Sequence, residues 1–363
     1  PSHSHRLFWP DRSYWPGMDI LVAGCGSNQA AILAFTNPDA RVLGIDVSAS
    51  SLSHHQFLKN KYSLKNLELL QLPIEELPTL DRDFDLIFST GVLHHLADPV
   101  IGLKALAACL RQHGVIGLML YAYYGRLGVE MMRSVFSDME LGQNESSLQL
   151  VKDALSLLPR DHPVRSYAAL TSDLEYDAGI VDSFLHGRER AYTVSECFQF
   201  AKSSGLVFQD MFLKAPYFVP YNEKSVFLKS VASLPNDRRW SVMERVNYSN
   251  ACHFFTVCRI DRKAETYRVD FNISSALDYV PSFRFRCSLD GRDLIKPSGR
   301  MQINPVEQAL IHYMDGARSI KKIAKKVRKD PSINQLSEGD ANLFAISFFK
   351  SLWELDFISV AVS

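Results

Sequence analysis

Gly24, Cys25 and Gly26, followed twenty residues later by Asp46, are the residues here whose types and spacing most clearly suggest chemistry. Two glycines around one residue let a backbone turn sharply and approach a ligand closely. Asn28 opens a helical run whose first N–H groups are left unpaired and face that ligand. An acid at the carboxyl end of the next strand is placed to accept hydrogen bonds from two ribose hydroxyls. The elements that must position these groups are legible beside them. Ile20 to Ala23 is a short apolar run of the buried parallel-strand type, and Val42 to Ile45 is a second one ending at Asp46. Strand, glycine turn, helix, strand and acid make half of a nucleotide-binding βαβ unit.

A dinucleotide fingerprint has a third glycine, which permits close packing of helix on strand. Here that position is Gln29. The spacing from turn to acid suits any adenosine ligand. The runs AGCGSNQ and GIDVS, together with FDLIFSTGVLHHLADP from Phe84 to Pro99, resemble the motifs of class I S-adenosylmethionine-dependent methyltransferases. The resemblance implies a Rossmann-like seven-stranded methyltransferase sheet of the α/β class, with S-adenosyl-L-methionine as cofactor. It implies cofactor contacts from Gly24, Cys25, Gly26, Asn28, Asp46, Val47, Gln71, Leu72, Ser89, Thr90 and His94. The usual Gly-Asp pair after the third strand is replaced by Gln71-Leu72-Pro73, so the adenine contact falls to the Gln71 amide or the Leu72 backbone. The His94-His95 pair is common in that superfamily across many specificities, which points to loop shaping near the cofactor.

Beyond the fifth strand, Val115 to Leu120, comes a mainly helical stretch at about 124–192. MLYAYYGRLGVEMMR and DSFLHGRERAYTVSECFQFAKSSGL resemble a bacterial methyltransferase subfamily with a helical insertion at this place, which caps the site and selects the acceptor. Tyr124, Arg126, His186, Arg190 and Tyr192 are the acceptor-side and catalytic candidates, with Tyr121 beside them at the strand end. Thr193 and Glu196 form a capping-box pattern at the next helix. Ala251 to Arg259 reads as an antiparallel seventh strand. The aromatic N-terminal segment offers Trp9, Tyr14 and Trp15 as flanks of the pocket.

Residues 1–261 are expected to form the cofactor-binding domain and 262–363 a small α+β, winged-helix-like accessory domain. Arg268 to Ile273 and Phe283 to Ser288 suggest a hairpin, followed by helices around Asp315-Gly316, a long helix from Ser337 to Leu355 and a last strand from Phe357 to Val362. Asn304 to Val327 resembles small winged-helix proteins that bind leader peptides. The lysines from Lys321 to Lys329 lie opposite Ile320, Ile323, Ala324 and Val327, the pattern of an amphipathic helix. The long helix is too apolar for a DNA groove. A protein, peptide or homodimer contact is therefore favoured over DNA.

Composition excludes several classes. Formal net charge is +0 with 47% hydrophobic and 22% charged residues, so no broad attraction to nucleic acid or membrane is implied. Six scattered cysteines without a C-x-x-C pair argue against a disulfide framework or zinc ribbon and for a reducing, cytoplasmic setting. No apolar run approaches the roughly 18–20 residues of a membrane span. No signal peptide is visible, and the chain begins at Pro1 rather than methionine. No metal site is expected. The acceptor expected is a protein or peptide side chain. The alternatives are a small-molecule acceptor, or a non-catalytic cofactor-binding regulator or scaffold.

Overall fold

The computed structural model describes residues 4–330 and 337–362. The apolar runs at the sheet centre become strands because they are buried on both faces, fully so in the first strand, Asp19–Ala23. In chain order, the short α1 (His5–Phe8) precedes β1 (Asp19–Ala23), α2 (Gln29–Thr36), β2 (Arg41–Asp46), α3 (Ala49–Lys61) and β3 (Leu67–Gln71). Next come β4 (Phe84–Thr90), α4 (Pro99–Ala108) and β5 (Leu110–Tyr121). Asp98 caps α4 by accepting from the Val100 and Ile101 N–H groups, and Pro99 takes the first helical position, where no donor is needed. Helices α5 (Leu127–Asp138), α6 (Glu145–Leu157), α7 (Pro163–Ala168) and α8 (Asp177–Leu185) form the insertion. The chain re-enters the sheet region through α9 (Val194–Ser203), β6 (Leu206–Met211), α10 (Val226–Ala232), α11 (Asn236–Val246) and β7 (Cys252–Arg259).

The seven strands lie in the order β3-β2-β1-β4-β5-β7-β6. β1 to β5 pair in parallel and β7 runs antiparallel between β5 and β6. The strand order reverses between β1 and β4, and the carboxyl ends at that switch point are where open α/β sheets bind ligands. At the opposite edge, Asp19 accepts from Arg41 at 2.6 Å and from Arg111 at 2.7 Å, and Arg111 also reaches Asp85 at 2.6 Å. Burial alone would raise the Asp19 carboxyl, but the two guanidinium groups hold it below the usual range. This cluster ties together the amino ends of β1, β2, β4 and β5, leaving the carboxyl ends free for function.

The N-terminal aromatics do not flank the pocket. The Trp9 indole N–H donates to the His113 carbonyl at 2.7 Å, at the amino end of β5, and its ring packs on Trp15 with centroids 4.8 Å apart. A buried indole needs a partner for its N–H, and that bond draws the segment to the far edge of the sheet.

The C-terminal part consists of β8 (Val280–Phe283), β9 (Ser288–Asp290), β10 (Asp293–Lys296), β11 (Gly299–Gln302), α12 (Pro305–His312), α13 (Ile320–Arg328), α14 (Glu338–Glu354) and β12 (Ile358–Ala361). β9 to β11 form an antiparallel meander, and β12 pairs antiparallel with β8. The hairpin expected from 268–273 and 283–288 is not formed. Asp270 bonds the Asn272 backbone N–H at 2.9 Å, a local turn that takes the donor a strand ladder would need. The meander precedes the three helices, and a single strand follows them. Ile320, Ile323, Ala324 and Val327 are buried while Lys321, Lys322, Lys325 and Lys326 are exposed, the amphipathic division expected of α13. α14 buries Phe348, Phe349, Leu352 and Trp353.

Glu244 on α11 is buried and accepts from the Val194 N–H at 3.0 Å, so it fixes the start of α9 where the insertion ends. Burial pushes its carboxyl up to about 7, against the pull of the Val194 N–H. Folded Glu244 therefore holds a proton that unfolded Glu244 has released. The stability this contributes is complete below about pH 4 and is lost as pH rises through about 7. Glu244→Gln keeps an acceptor for Val194 without the charge. It is expected to raise the melting temperature by a few degrees at pH 8 and to leave it unchanged near pH 4.5, as read by thermal unfolding at the two values.

Candidate functional site

The glycine turn leaves β1 with Gly24 at φ +73° and Gly26 at φ +58°, both in the left-handed region that L side chains rarely adopt. At Gly24 a Cβ would stand 2.4 Å from the Val92 side chain, so the glycine lets the β4 loop close over the turn. At Gly26 nothing lies within 4 Å of an added Cβ, so the space in front of the turn is open. The Gly24 and Cys25 N–H groups both donate to the Ile45 carbonyl at 2.9 Å, which binds the turn to β2. Asp46 at the end of β2 accepts from the Gly26 N–H through one carboxylate oxygen and from the Ser48 N–H through the other, each at 2.9 Å. A carboxylate has about four lone-pair sites, so both oxygens keep acceptor capacity for hydroxyls.

Gly24 to Gln29, Ile32, Leu33, Phe88 and Thr90 line an open cleft of about 490 Å³. That volume lies in the range of small-molecule sites. Asn28 precedes α2 and is exposed, with a side chain that makes no capping bond. Thr90 donates to Gln29 at 3.0 Å across the cleft wall. The glycine cradle, the exposed helix start and the acid beyond it together fit an adenosine cofactor with a charged tail. Cys25 is buried, and burial with the nearby Asp46 pushes its thiol up to about 12, so it stays protonated and is no nucleophile.

Val47 is exposed next to Asp46. The Gln71 amide donates to the Val47 carbonyl at 3.0 Å, and the Leu72 N–H donates to the Asp46 carbonyl at 3.2 Å. Both donors named for the adenine contact are thus engaged in closing this edge, and the Gln71 amide oxygen stays available. Ser89 is fully buried and its hydroxyl has no partner among the described residues.

Above β4 and β5 the insertion brings a second group of residues together. The chain leaves at Tyr121 and returns at Tyr192, and the two ends pair: Tyr192 N–H donates to the Tyr121 carbonyl and Tyr123 N–H to the Tyr192 carbonyl, each at 2.8 Å. Inside lies a column of rings. The Arg126 guanidinium sits 3.7 Å from the Tyr121 ring centre, Tyr121 lies 4.1 Å from His94, His94 lies 4.2 Å from His95, and His95 lies 4.2 Å from His186. The Tyr121 hydroxyl donates to Asp182 at 3.0 Å. Burial and that carboxylate push the phenol up. Arg126 is 0% exposed and pairs with Glu189 at 2.6 Å, and it also donates to the Tyr167 hydroxyl at 2.7 Å. Arg133 reaches the same Glu189 at 3.3 Å.

Of the acceptor-side candidates, the structure gathers Tyr121, Arg126 and His186 into this column with His94. Tyr124 packs edge-on against Tyr123. The Arg190 side chain turns to Glu196 at 2.9 Å and lies over the Tyr192 ring, whose hydroxyl is buried without a partner among the described residues. Asp182, Glu189, Tyr167 and His95 were not singled out for this group from the sequence. Asp182 and Glu189 bracket the Arg- and His-dense run, and that density was the available signal. No group of His, Cys, Asp or Glu among the described residues is arranged to hold a metal ion.

His94 is buried and neither ring nitrogen has a partner among the described residues. Burial, and then the charges of His95, Arg126 and His186, push its imidazole down to about 2. His94 is therefore neutral throughout the working range and transfers no proton there. Its ring carbon resonances are expected to stay constant from pH 5 to pH 9 in an NMR titration of the folded protein. An inflection within that window would contradict the burial and charge argument.

Residues 21–116 match a family model described as a methyltransferase domain. An uncharacterised protein from Synechococcus sp. is 30% identical over 196 residues, covering 52% of this chain and 47% of that protein. A tRNA U34 carboxymethyltransferase from Saccharophagus degradans is 34% identical over 110 residues, covering 30% of this chain and 34% of that enzyme. The chain thus spans about half or less of the length of these relatives. In fold, the structure of PKMT2 from Rickettsia typhi is similar over 99% of this chain and 75% of that one, with a TM-score of 0.70 and 15% identity. The same protein in complex with AdoHcy is similar with a TM-score of 0.66 and 16% identity, over 99% and 74% of the two chains. No helix among the described residues is long and apolar enough to cross a membrane. By this match residues 21–116 form a methyltransferase domain, and the sheet order that places their glycine turn and acid is that of the class I S-adenosylmethionine-dependent fold.

Proposed function

We propose that this chain transfers the methyl group of S-adenosylmethionine to a basic side chain of a protein or peptide. The cofactor would supply an electrophilic methyl on a sulfonium, and transfer would be an in-line displacement in which the lone pair of an acceptor amine that has lost its proton to solvent forms the new bond as the carbon–sulfur bond pair leaves with a now neutral thioether. This chain's residues have to hold, orient and shield. In this reading the open turn from Gly24 to Gly26 and the α2 start at Asn28 hold the cofactor's charged tail. Asp46 takes the ribose hydroxyls and Gln71 meets the adenine. In the same reading Thr90 lines the cofactor cleft, with Ser89 and His94 buried behind it. A transfer of this kind needs alignment and water exclusion rather than a covalent nucleophile.

The observation that carries the acceptor class is the carboxylate Asp182 beside the Tyr121 hydroxyl at the cap, next to the His94–His95–His186 rings. A carboxylate beside buried rings attracts a basic amine by its charge and its hydrogen-bond acceptors. Arg126 and Arg133 neutralise Glu189, which leaves Asp182 as the cap carboxylate facing Tyr121. The likeness of the whole chain in fold to PKMT2 supports the same reading. The tRNA-modifying relatives resemble less than a third of this chain, so they bear on a shared donor half.

Two outcomes are expected. In calorimetric titration with S-adenosylmethionine, Asp46→Ala loses charge-assisted bonds and weakens affinity about tenfold or more, whereas unchanged affinity removes Asp46 from the cofactor site. With radiolabelled cofactor, label is expected in lysine- or arginine-containing peptides or proteins, and Asp182→Asn is expected to reduce incorporation at least tenfold with cofactor affinity retained. Label found only in tRNA or only in small molecules would overturn the acceptor assignment.

A further inference from the structure

The turn contains one peptide unit that is held at both ends. The Cys25–Gly26 peptide contributes the Gly26 N–H, which donates to Asp46 at 2.9 Å, and the Cys25 carbonyl, which lies 3.3 Å from Nε2 of His55. A carbonyl only accepts, so Nε2 of His55 carries the proton and donates. His55 projects from the second turn of α3 and is 0% exposed, and its Nδ1 has no partner among the described residues. A buried ring with one free nitrogen costs desolvation, so its placement under the turn calls for an explanation beyond packing. Gly26 at φ +58° makes this peptide plane free to rotate, because glycine tolerates both signs of φ. Rotation would turn the Cys25 carbonyl toward the Asp46 carboxylate and the Gly26 N–H away from it. Two acceptors would then face each other, and Asp46 would lose its hold beside the turn.

We propose that His55 is a positioning residue for cofactor binding: it anchors the Cys25 carbonyl from below, keeping the Cys25–Gly26 peptide turned so that its N–H holds Asp46 in place for the cofactor. α3 makes this possible because its own start is tied to the same acid. Ser48 donates its N–H to Asp46 and caps the helix through its hydroxyl, so the helix that carries His55 and the acid that holds Gly26 move as one unit. Burial pushes the His55 imidazole down, favouring the neutral ring that donates through Nε2 alone. His54, its neighbour, points to Phe57 on the helix and has no part in this.

The inference rests on the cofactor reading, and the experiment separates the two. Wild type, His55→Gln and His55→Leu are titrated calorimetrically with S-adenosylmethionine, and hydrogen exchange of the Gly26 amide is followed by NMR without ligand. Gln carries an N–H donor of comparable reach, while Leu fills the space without one. Expected results are affinity within about threefold of wild type for His55→Gln and at least tenfold weaker for His55→Leu. Gly26 exchange should be tenfold or more faster in His55→Leu alone, with melting temperatures of the two variants alike. Equal affinity and equal Gly26 protection in all three proteins would overturn the proposal, as would equal weakening by Gln and Leu. If His55→Leu does not fold, His55→Asn takes its place. Its donor is too short to reach, so it is expected to weaken binding as Leu would, and wild-type affinity in it would overturn the proposal. Failure of the wild type itself to bind would refute the cofactor reading instead.

Discussion

The two oxygens of Asp46 hold the site together. One receives the Gly26 N–H and the other the Ser48 N–H, so a single carboxylate joins the turn after β1 to the start of α3. Parallel pairing of β1 and β2 is what brings them within reach, with Ala23 opposite Ile45 in register. Shifting that register by one residue would turn every side chain to the other face and carry Asp46 away from the turn. The charged cluster of Asp19, Arg41, Asp85 and Arg111 at the other end of the same strands opposes such a slip. The placement of Asp46 beside the glycine turn therefore depends on strand register.

The second group of residues depends on a different device. The insertion from α5 to α8 has its own small core of Val129, Met132, Phe136, Val151, Val164, Tyr167, Ile180 and Phe184. It is seated on the sheet where its two ends pair at Tyr121 and Tyr192. Arg126 is buried beneath it. Removing such a charge from water is costly unless it is paired, and Glu189, the Tyr167 hydroxyl and the face of Tyr121 supply the compensation. The pairing serves placement rather than chemistry: it fixes Tyr121 against His94 and leaves Asp182 at the edge of the column. Buried networks of this kind specify one arrangement because any partial version leaves a charge uncompensated.

The C-terminal part is joined to the sheet region by polar bonds as well as apolar packing. Asp356 accepts the Lys214 and Ala215 N–H groups at 2.8 Å beyond β6, and Arg262 after β7 donates to the Phe8 carbonyl at 3.1 Å. The Val362 N–H donates to the Pro10 carbonyl at 2.8 Å. The N-terminal segment, which the sequence suggested as a flank of the pocket, is used instead as a strap between the sheet and this part. Its aromatic residues carried a correct message about burial and none about which end of the sheet they would cover.

How much was legible follows the range of the interaction concerned. By itself the sequence determined the parallel sheet, the glycine turn, the acid at the end of β2, the caps of α4 and α9 and the amphipathic α13. Each is set by neighbours within a few residues or by the period of burial along one element. From those local patterns the candidate cofactor residues Gly24, Gly26, Asn28 and Asp46 were proposed, and the structure brings them together at one end of the sheet. Only the tertiary structure decided that His55 reaches back under the turn, that Arg126 is sealed against Glu189, that Asp182 meets Tyr121, and that Trp9 lies at the amino edge. These pairs are separated by 30, 63, 61 and 104 residues. No periodicity reports such contacts, because they are set by how finished elements pack and by where buried donors and charges find partners. The ring column above β4 and β5 is assembled from such pairs, and the glycine turn with its acid from one continuous strand–turn–helix–strand unit, so the two groups differ in how far the sequence alone reveals them.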